Sequence, residues 1–133
     1  MIVLGLCVSC ASTHPVPVVP SGMARIVIYR LQLGNTYWWI NNKKAAGWLG
    51  EEVTSRYYDV APGHATIRSR PVAPILTVHE GFVEFDLIPG QTVYYRLDTA
   101  AHNGAIWESV TPVDSATARG QLPFIPVEGR LND

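Results

Sequence analysis

An all-β fold, an antiparallel β-sandwich or small barrel of about eight short strands, is predicted by three features of the sequence. The first is a repeated unit. Tyr58-Asp59-Val60-Ala61-Pro62-Gly63-His64 recurs as Phe85-Asp86-Leu87-Ile88-Pro89-Gly90-Gln91, matching position for position as aromatic, Asp, aliphatic, aliphatic, Pro, Gly, polar. Proline fixes the φ that the first central position of a turn requires, and glycine accepts positive φ at the second, so each unit is strand, type II turn, strand. The second feature is a series of short β-branched and aromatic runs with turn residues between them. The third is ten prolines and eleven glycines in 133 residues, which favours many corners over helix bundles. Two copies of the unit are too few for a solenoid, which needs about three. A type II turn does not match the twist of a tight hairpin, so these corners are expected to carry the chain from one sheet to the other.

Taken in order, residues 24–33 open the domain, and Ile26-Val27-Ile28-Tyr29 is continuously apolar, as expected of a central strand buried on both faces. Gly34-Asn35 breaks it. Residues 36–40 form the next strand, Asn41-Asn42 tolerates the left-handed φ of a hairpin corner, and residues 44–49 return. After a turn at 50–52, residues 53–60 enter the first Pro-Gly corner and 64–70 leave it. A strand over 75–80 turns at Gly81. Residues 82–87 enter the second corner and 91–98 leave it, with Val93, Tyr95 and Leu97 on one face. Asn103-Gly104 turns the chain into a last strand over 105–110. Asp114 is a helix N-cap, with a short C-terminal helix over 115–119 stopped by Gly120. Residues 123–133 form a tail expected to be loosely held.

The totals fit one domain over 23–122. A hydrophobic fraction of 47% and a charged fraction of 16% describe a folded chain. The net charge is −1 with scattered basic residues, which gives no footprint for nucleic acid.

The N-terminus has the character of an address. Residues 1–9 are apolar and signal-peptide-like, but lack the basic start of a complete signal, so the segment is truncated or an unusual leader. It is too short to span a bilayer, which takes about 20 residues. Cys7 and Cys10 are the two cysteines. Their spacing permits a redox pair or half a zinc site, yet there is no second ligand pair. Val8-Ser9-Cys10 resembles the cleavage site of bacterial lipoproteins, in which a cysteine after a small residue is lipidated and becomes the mature N-terminus. The departure is Cys7, standing where the pattern favours leucine. The resemblance implies lipidation at Cys10, and Ala11 in place of Asp implies sorting to the outer membrane. Residues 10–22, rich in proline, then form an extended tether that carries His14. The competing expectation is a cytosolic β-domain with an apolar N-terminal tail.

The strings Ala24-Arg25-Ile26-Val27-Ile28-Tyr29-Arg30, Tyr58 through Ile67, and Gly90-Gln91-Thr92-Val93-Tyr94-Tyr95-Arg96, with Asn42-Lys43-Lys44 at a hairpin turn, together resemble a family of small bacterial lipoprotein domains of unknown function. The middle unit is also similar to PEGA-type β modules, which are non-catalytic surface domains. The resemblance covers most of 24–122 and implies an envelope-anchored β-sandwich, with no catalytic residues to carry over.

Candidate chemistry is sparse. His14, His64, His79 and His102 have no pair at the spacing that places two metal ligands on one face, so no metal is expected. Glu84 and Asp86 share a strand face, whereas a paired-carboxylate hydrolase needs two acids across a cleft. Ser55, Ser69, Ser109 and Ser115 lack a nucleophile elbow, and there is no phosphate or dinucleotide fingerprint. No catalytic residue, cofactor or metal is therefore assigned, and no ligand-binding residue is specified. The surplus lies in aromatics: Trp38-Trp39, Trp48, Tyr57-Tyr58, Tyr94-Tyr95 and Trp107. Neighbours on a strand face opposite ways, so one of each pair should be core and the other on the outer face or under a loop. Outward rings serve either as cross-strand stabilisers or as a patch for a glycan, peptide or protein.

The expectation is a periplasm-facing envelope lipoprotein carrying a non-catalytic interaction or structural module, with an unidentified envelope protein or glycan as partner. The alternatives are an envelope ligand or glycan binder, or a hydrolase, using the aromatic face with His64 or His79.

Overall fold

The computed structural model describes residues 16–32, 35–46, 55–72, 77–122 and 125–132. Two sheets pack face to face. The larger contains β1 (Ala24–Tyr29), β4 (Ser55–Val60), β6 (Thr77–His79), β8 (Thr92–His102), β9 (Ala105–Val113) and β10 (Val127–Glu128), in the order β10-β4-β1-β8-β9-β6. The smaller contains β2 (Thr36–Ile40), β3 (Lys43–Lys44), β5 (Gly63–Pro71) and β7 (Gly81–Leu87), in the order β3-β2-β5-β7. Among the described residues there is one short helix, α1 (Ser115–Gln121), which follows β9. The chain is an all-β, sandwich-like fold with a short C-terminal helix.

The Pro-Gly corners carry the chain between sheets. The first joins β4 of the larger sheet to β5 of the smaller, and the second joins β7 back to β8. Gly63 and Gly90 have φ of 114° and 84°, and Gln91 N–H closes the second corner on Ile88 O at 3.1 Å. The hairpins use different chemistry. Asn41 and Asn42 have φ of 51° and 67°, and Asn103 and Gly104 have 51° and 76°, the double positive φ of a tight hairpin turn.

β1 is buried along its whole length because it is central in both senses. It pairs antiparallel with β4 and parallel with β8, and it is covered on both faces. Its inward residues Ala24, Ile26 and Ile28 meet Trp38, Ile40, Ala65, Ile67, Leu87, Tyr58, Tyr95, Leu97 and Val110 in the core. On its outer face, Arg25 forms a two-pronged pair with Asp59, at 2.7 and 2.9 Å, and lies 4.3 Å over the Tyr57 ring. Arg25 also donates to Pro17 O, which ties the N-terminal segment to the sheet. At the other end of β1, Gln121 of α1 accepts from Tyr29 and Arg96.

Several elements differ from the sequence reading. The strand returning from Asn41-Asn42 is only Lys43–Lys44. Residues 47–49, Trp48 among them, lie outside the described residues. Gly81 does not turn the chain but begins β7, where there is no room for a side chain: a Cβ would stand 2.8 Å from Ser69 Oγ and 3.1 Å from Glu108 O. The last two strands are longer than expected. Asp114 caps α1 by accepting from Thr117 N at 2.8 Å, but Gly120 does not end the helix, which runs through Gln121.

Residues 127–132 of the C-terminal tail are tied down rather than loose. β10 pairs parallel with β4, Gly129 N–H donates to Tyr57 O, and Leu131 bridges to Ala45 beside β3. Asn132 N–H donates to Lys44 O and Ala46 N–H to Arg130 O. The strap thus pairs with an edge of each sheet, and Gly129 rests on the Tyr58 ring, where a Cβ would lie 2.7 Å from Tyr58 Oη.

Candidate functional site

The outer face of the four-stranded sheet gathers side chains that the core does not use. The two-residue period of each strand places them there. On β2, Thr36, Trp38 and Ile40 are buried while Tyr37 and Trp39 face outward and remain half-buried. On β5, Ala65, Ile67 and Ser69 go inward, leaving His64, Thr66, Arg68 and Arg70 outside. On β7, Phe82, Glu84 and Asp86 are exposed.

Register then sets the neighbours. Lys44 opposes Trp39, Trp39 opposes Arg68, and Arg68 opposes Phe82, so cation and aromatic alternate in one row across all four strands. In the next row Tyr37 opposes Arg70. The Arg68 guanidinium lies 4.2 Å over the Trp39 ring centre, and Lys44 Nζ lies 4.1 Å over Tyr37. Each such contact contributes about 0.5–1 kcal/mol where water reaches it. Glu80 approaches Arg68 and Arg70 at 3.5 and 3.3 Å, long exposed pairs worth about 0–1 kcal/mol. The chemical outcome is cationic heads pinned over aromatic rings, with Phe82 as an apolar spot beside them.

At the other corner of this face, His64 opposes Asp86 across the β5–β7 ladder. Its Nε2 lies 3.5 Å from Glu84 and its Nδ1 3.7 Å from Asp86. All three side chains are exposed, so water screens the pairs. Glu84 and Asp86 occupy one solvated strand face. No group of three or more His, Cys, Asp or Glu able to hold a metal occurs among the described residues.

The other described histidines stand apart. His79 stacks on Trp107 at the β6–β9 edge, ring centres 3.7 Å apart and planes 10° from parallel. His102 contacts the Asn103 side chain in the hairpin turn. Cys10 and His14 lie outside the described residues. Each described aromatic pair divides between faces. Trp38 and Tyr95 are core, with Trp39 and Tyr94 half-buried on outer faces, while Tyr57 and Tyr58 are both buried on opposite faces.

One polar cluster escaped the sequence reading. Glu108 points into the sandwich, its carboxylate buried, and accepts from Thr36 at 2.9 Å and Thr99 at 2.6 Å. Arg30, also buried, donates to Thr99 at 2.8 Å and stands 3.7 Å from Glu108. The signal was available in the period of two: Glu108 shares a face with Val110, a core residue. Because Thr36 belongs to the smaller sheet and Glu108 to the larger, the cluster joins the layers.

No protein-family model, curated protein or solved structure matches this chain. The likeness to small bacterial lipoprotein domains rests on the sequence motifs alone.

Proposed function

We propose that the chain is an envelope-anchored bacterial lipoprotein, held in the outer membrane by lipid on Cys10. Its β-sandwich acts as a non-catalytic interaction or structural module facing the periplasm. The observation that carries the module half of this reading is the outer face of the four-stranded sheet, with Arg68 and Lys44 held over Trp39 and Tyr37. Side chains held by their neighbours lose little further entropy on binding, which suits a recognition surface. Among the described residues, the histidine–carboxylate grouping on this face, His64 with Glu84 and Asp86, is exposed. The partner is another envelope component, protein or glycan, that brings acceptor groups to those cations.

The test is intact mass and membrane fractionation of protein expressed from its native locus, beside Cys10→Ala. Wild type is expected in the membrane fraction with a lipid mass beginning at Cys10, and the variant is expected to be released. Soluble wild-type protein retaining Met1 would overturn the anchor.

A further inference from the structure

The end of the sandwich where the tether enters is built differently from the rest of the surface. Met23 O accepts from Gly90 N–H at 2.7 Å, which places the second Pro-Gly corner against the start of β1. Ala24 pairs with Val60, so the first corner, which follows Val60, lies at the same end. Three segments therefore converge there: residues 17–23, 61–63 and 88–91. None of them contains a charged residue; they read Pro-Val-Val-Pro-Ser-Gly-Met, Ala-Pro-Gly and Ile-Pro-Gly-Gln.

Two exposed large hydrophobic side chains lie in these segments: Ile88 in the second corner itself, and Val18 next to Pro17, whose carbonyl Arg25 holds. Val18 is 90% exposed and Ile88 65%, ahead of Phe82 at 56%. Charge begins at the rim, with Arg25, paired to Asp59 and donating to Pro17 O, with His64 opposite Asp86, and with Asp114 after β9. Isolated apolar side chains on a surface need no explanation. Three converging segments without a charge of their own, with Ile88 exposed in one and Val18 in another beside the tether, call for one.

Reach selects the occupant. Residues 10–15 separate Cys10 from the described chain, and at about 3.3–3.6 Å per residue they span at most about 20 Å. We infer that this end of the sandwich docks on the lipid surface that anchors Cys10, with Val18 and Ile88 entering the headgroup region. The inference rests on the lipid-anchor reading and adds an orientation to it. Two aliphatic side chains bind a membrane weakly by themselves, but a tether this short keeps them at high effective concentration beside the bilayer. Docking through this end stands the strands upright on the membrane. The face bearing Trp39 and Arg68 then looks sideways across the periplasm, and the Asn103-Gly104 hairpin points away.

The experiment uses lipidated, full-length protein purified from membranes and returned to vesicles of phosphatidylethanolamine and phosphatidylglycerol. In Ile88→Cys the new thiol is the only reactive one, since Cys7 leaves with the leader and Cys10 is blocked by lipid. It is labelled with an environment-sensitive fluorophore, and Asn103→Cys serves as the distal control. The Ile88 probe is expected to shift to the blue and to be quenched by headgroup-proximal spin-labelled lipid, while the Asn103 probe stays at its solvent emission. Identical solvent-like emission from both probes, on protein whose mass shows lipid at Cys10, overturns the docking and leaves the anchor standing. Protein whose mass shows no lipid overturns both.

Discussion

Tyr58→Phe removes a single oxygen from the core and tests how the two layers are joined. Trp38 is fully buried on β2 of the smaller sheet, and its indole N–H donates to Tyr58 Oη, on β4 of the larger, at 3.0 Å. Without that oxygen the donor has no acceptor in its apolar surroundings. Removing one partner of a buried bond costs the desolvation of the other, about 1–3 kcal/mol. The vacated volume is small, so little cavity cost is added. For a domain of about 100 residues, each kcal/mol moves Tm by about 4–8 °C, so a loss of about 2 kcal/mol lowers Tm by about 8–16 °C. Urea unfolding followed by circular dichroism should show a lower midpoint at unchanged slope. The decisive comparison is the Trp38→Phe background, where there is no indole donor to orphan and Tyr58→Phe should cost less than about 0.5 kcal/mol. Equal cost in both backgrounds would refute the inter-sheet bond as the cause.

Stability should also fall above pH ~10, the ordinary tyrosine range. Burial, the largest cause, pushes the Tyr58 phenol well up, opposed by the hydrogen bond from Trp38 and by Arg56. The unfolded chain then releases that proton first, so the folded state binds more protons and stability declines as pH rises, by up to ~1.4 kcal/mol per unit. Tyr29, Tyr57 and Tyr95 are raised by burial too, so Tyr58→Phe should flatten the alkaline slope without abolishing it; an unchanged slope in urea titrations between pH 9 and pH ~11.5 would count against this account. Glu108→Leu leaves the buried Arg30 charge without its carboxylate and should cost about 3–5 kcal/mol in the same unfolding assay, whereas Glu108→Gln, which can still accept from a threonine, should cost less. A Glu108→Leu variant within about 1 kcal/mol of wild type would mean that the Arg30 head reaches water.

Local chemistry was legible in the sequence wherever a residue type has few alternatives. The Pro-Gly pairs announced the corners and their change of sheet, Asn41-Asn42 and Asn103-Gly104 the hairpins, and the unbroken Ile26–Tyr29 run the central strand. Features set by pairing between distant segments were not legible. His64 meets Asp86 only because of the register of β5 against β7, and no local signal fixes that register. The row Lys44, Trp39, Arg68, Phe82 depends on two further registers. The C-terminal strap is held mainly through backbone groups, which every residue carries, so its side chains gave no sign of pairing. Gly120 fits the helix interior because it faces open space and its φ stays out of the left-handed region.

The position of β1 has a consequence for how the chain folds. Its neighbours are β4 on one side and β8 on the other, and Arg25 must find Thr92, 67 residues later in the chain. The parallel pair cannot arise from a local hairpin; it closes a loop containing most of both sheets, and loop closure must precede the contacts that reward it. The strap comes later still, adding its pairing to β4 with the last residues of the chain. Topology of this kind folds in milliseconds to seconds rather than microseconds. In that interval the Ile26–Tyr29 run is uncovered, which makes it the segment most in need of a chaperone's protection.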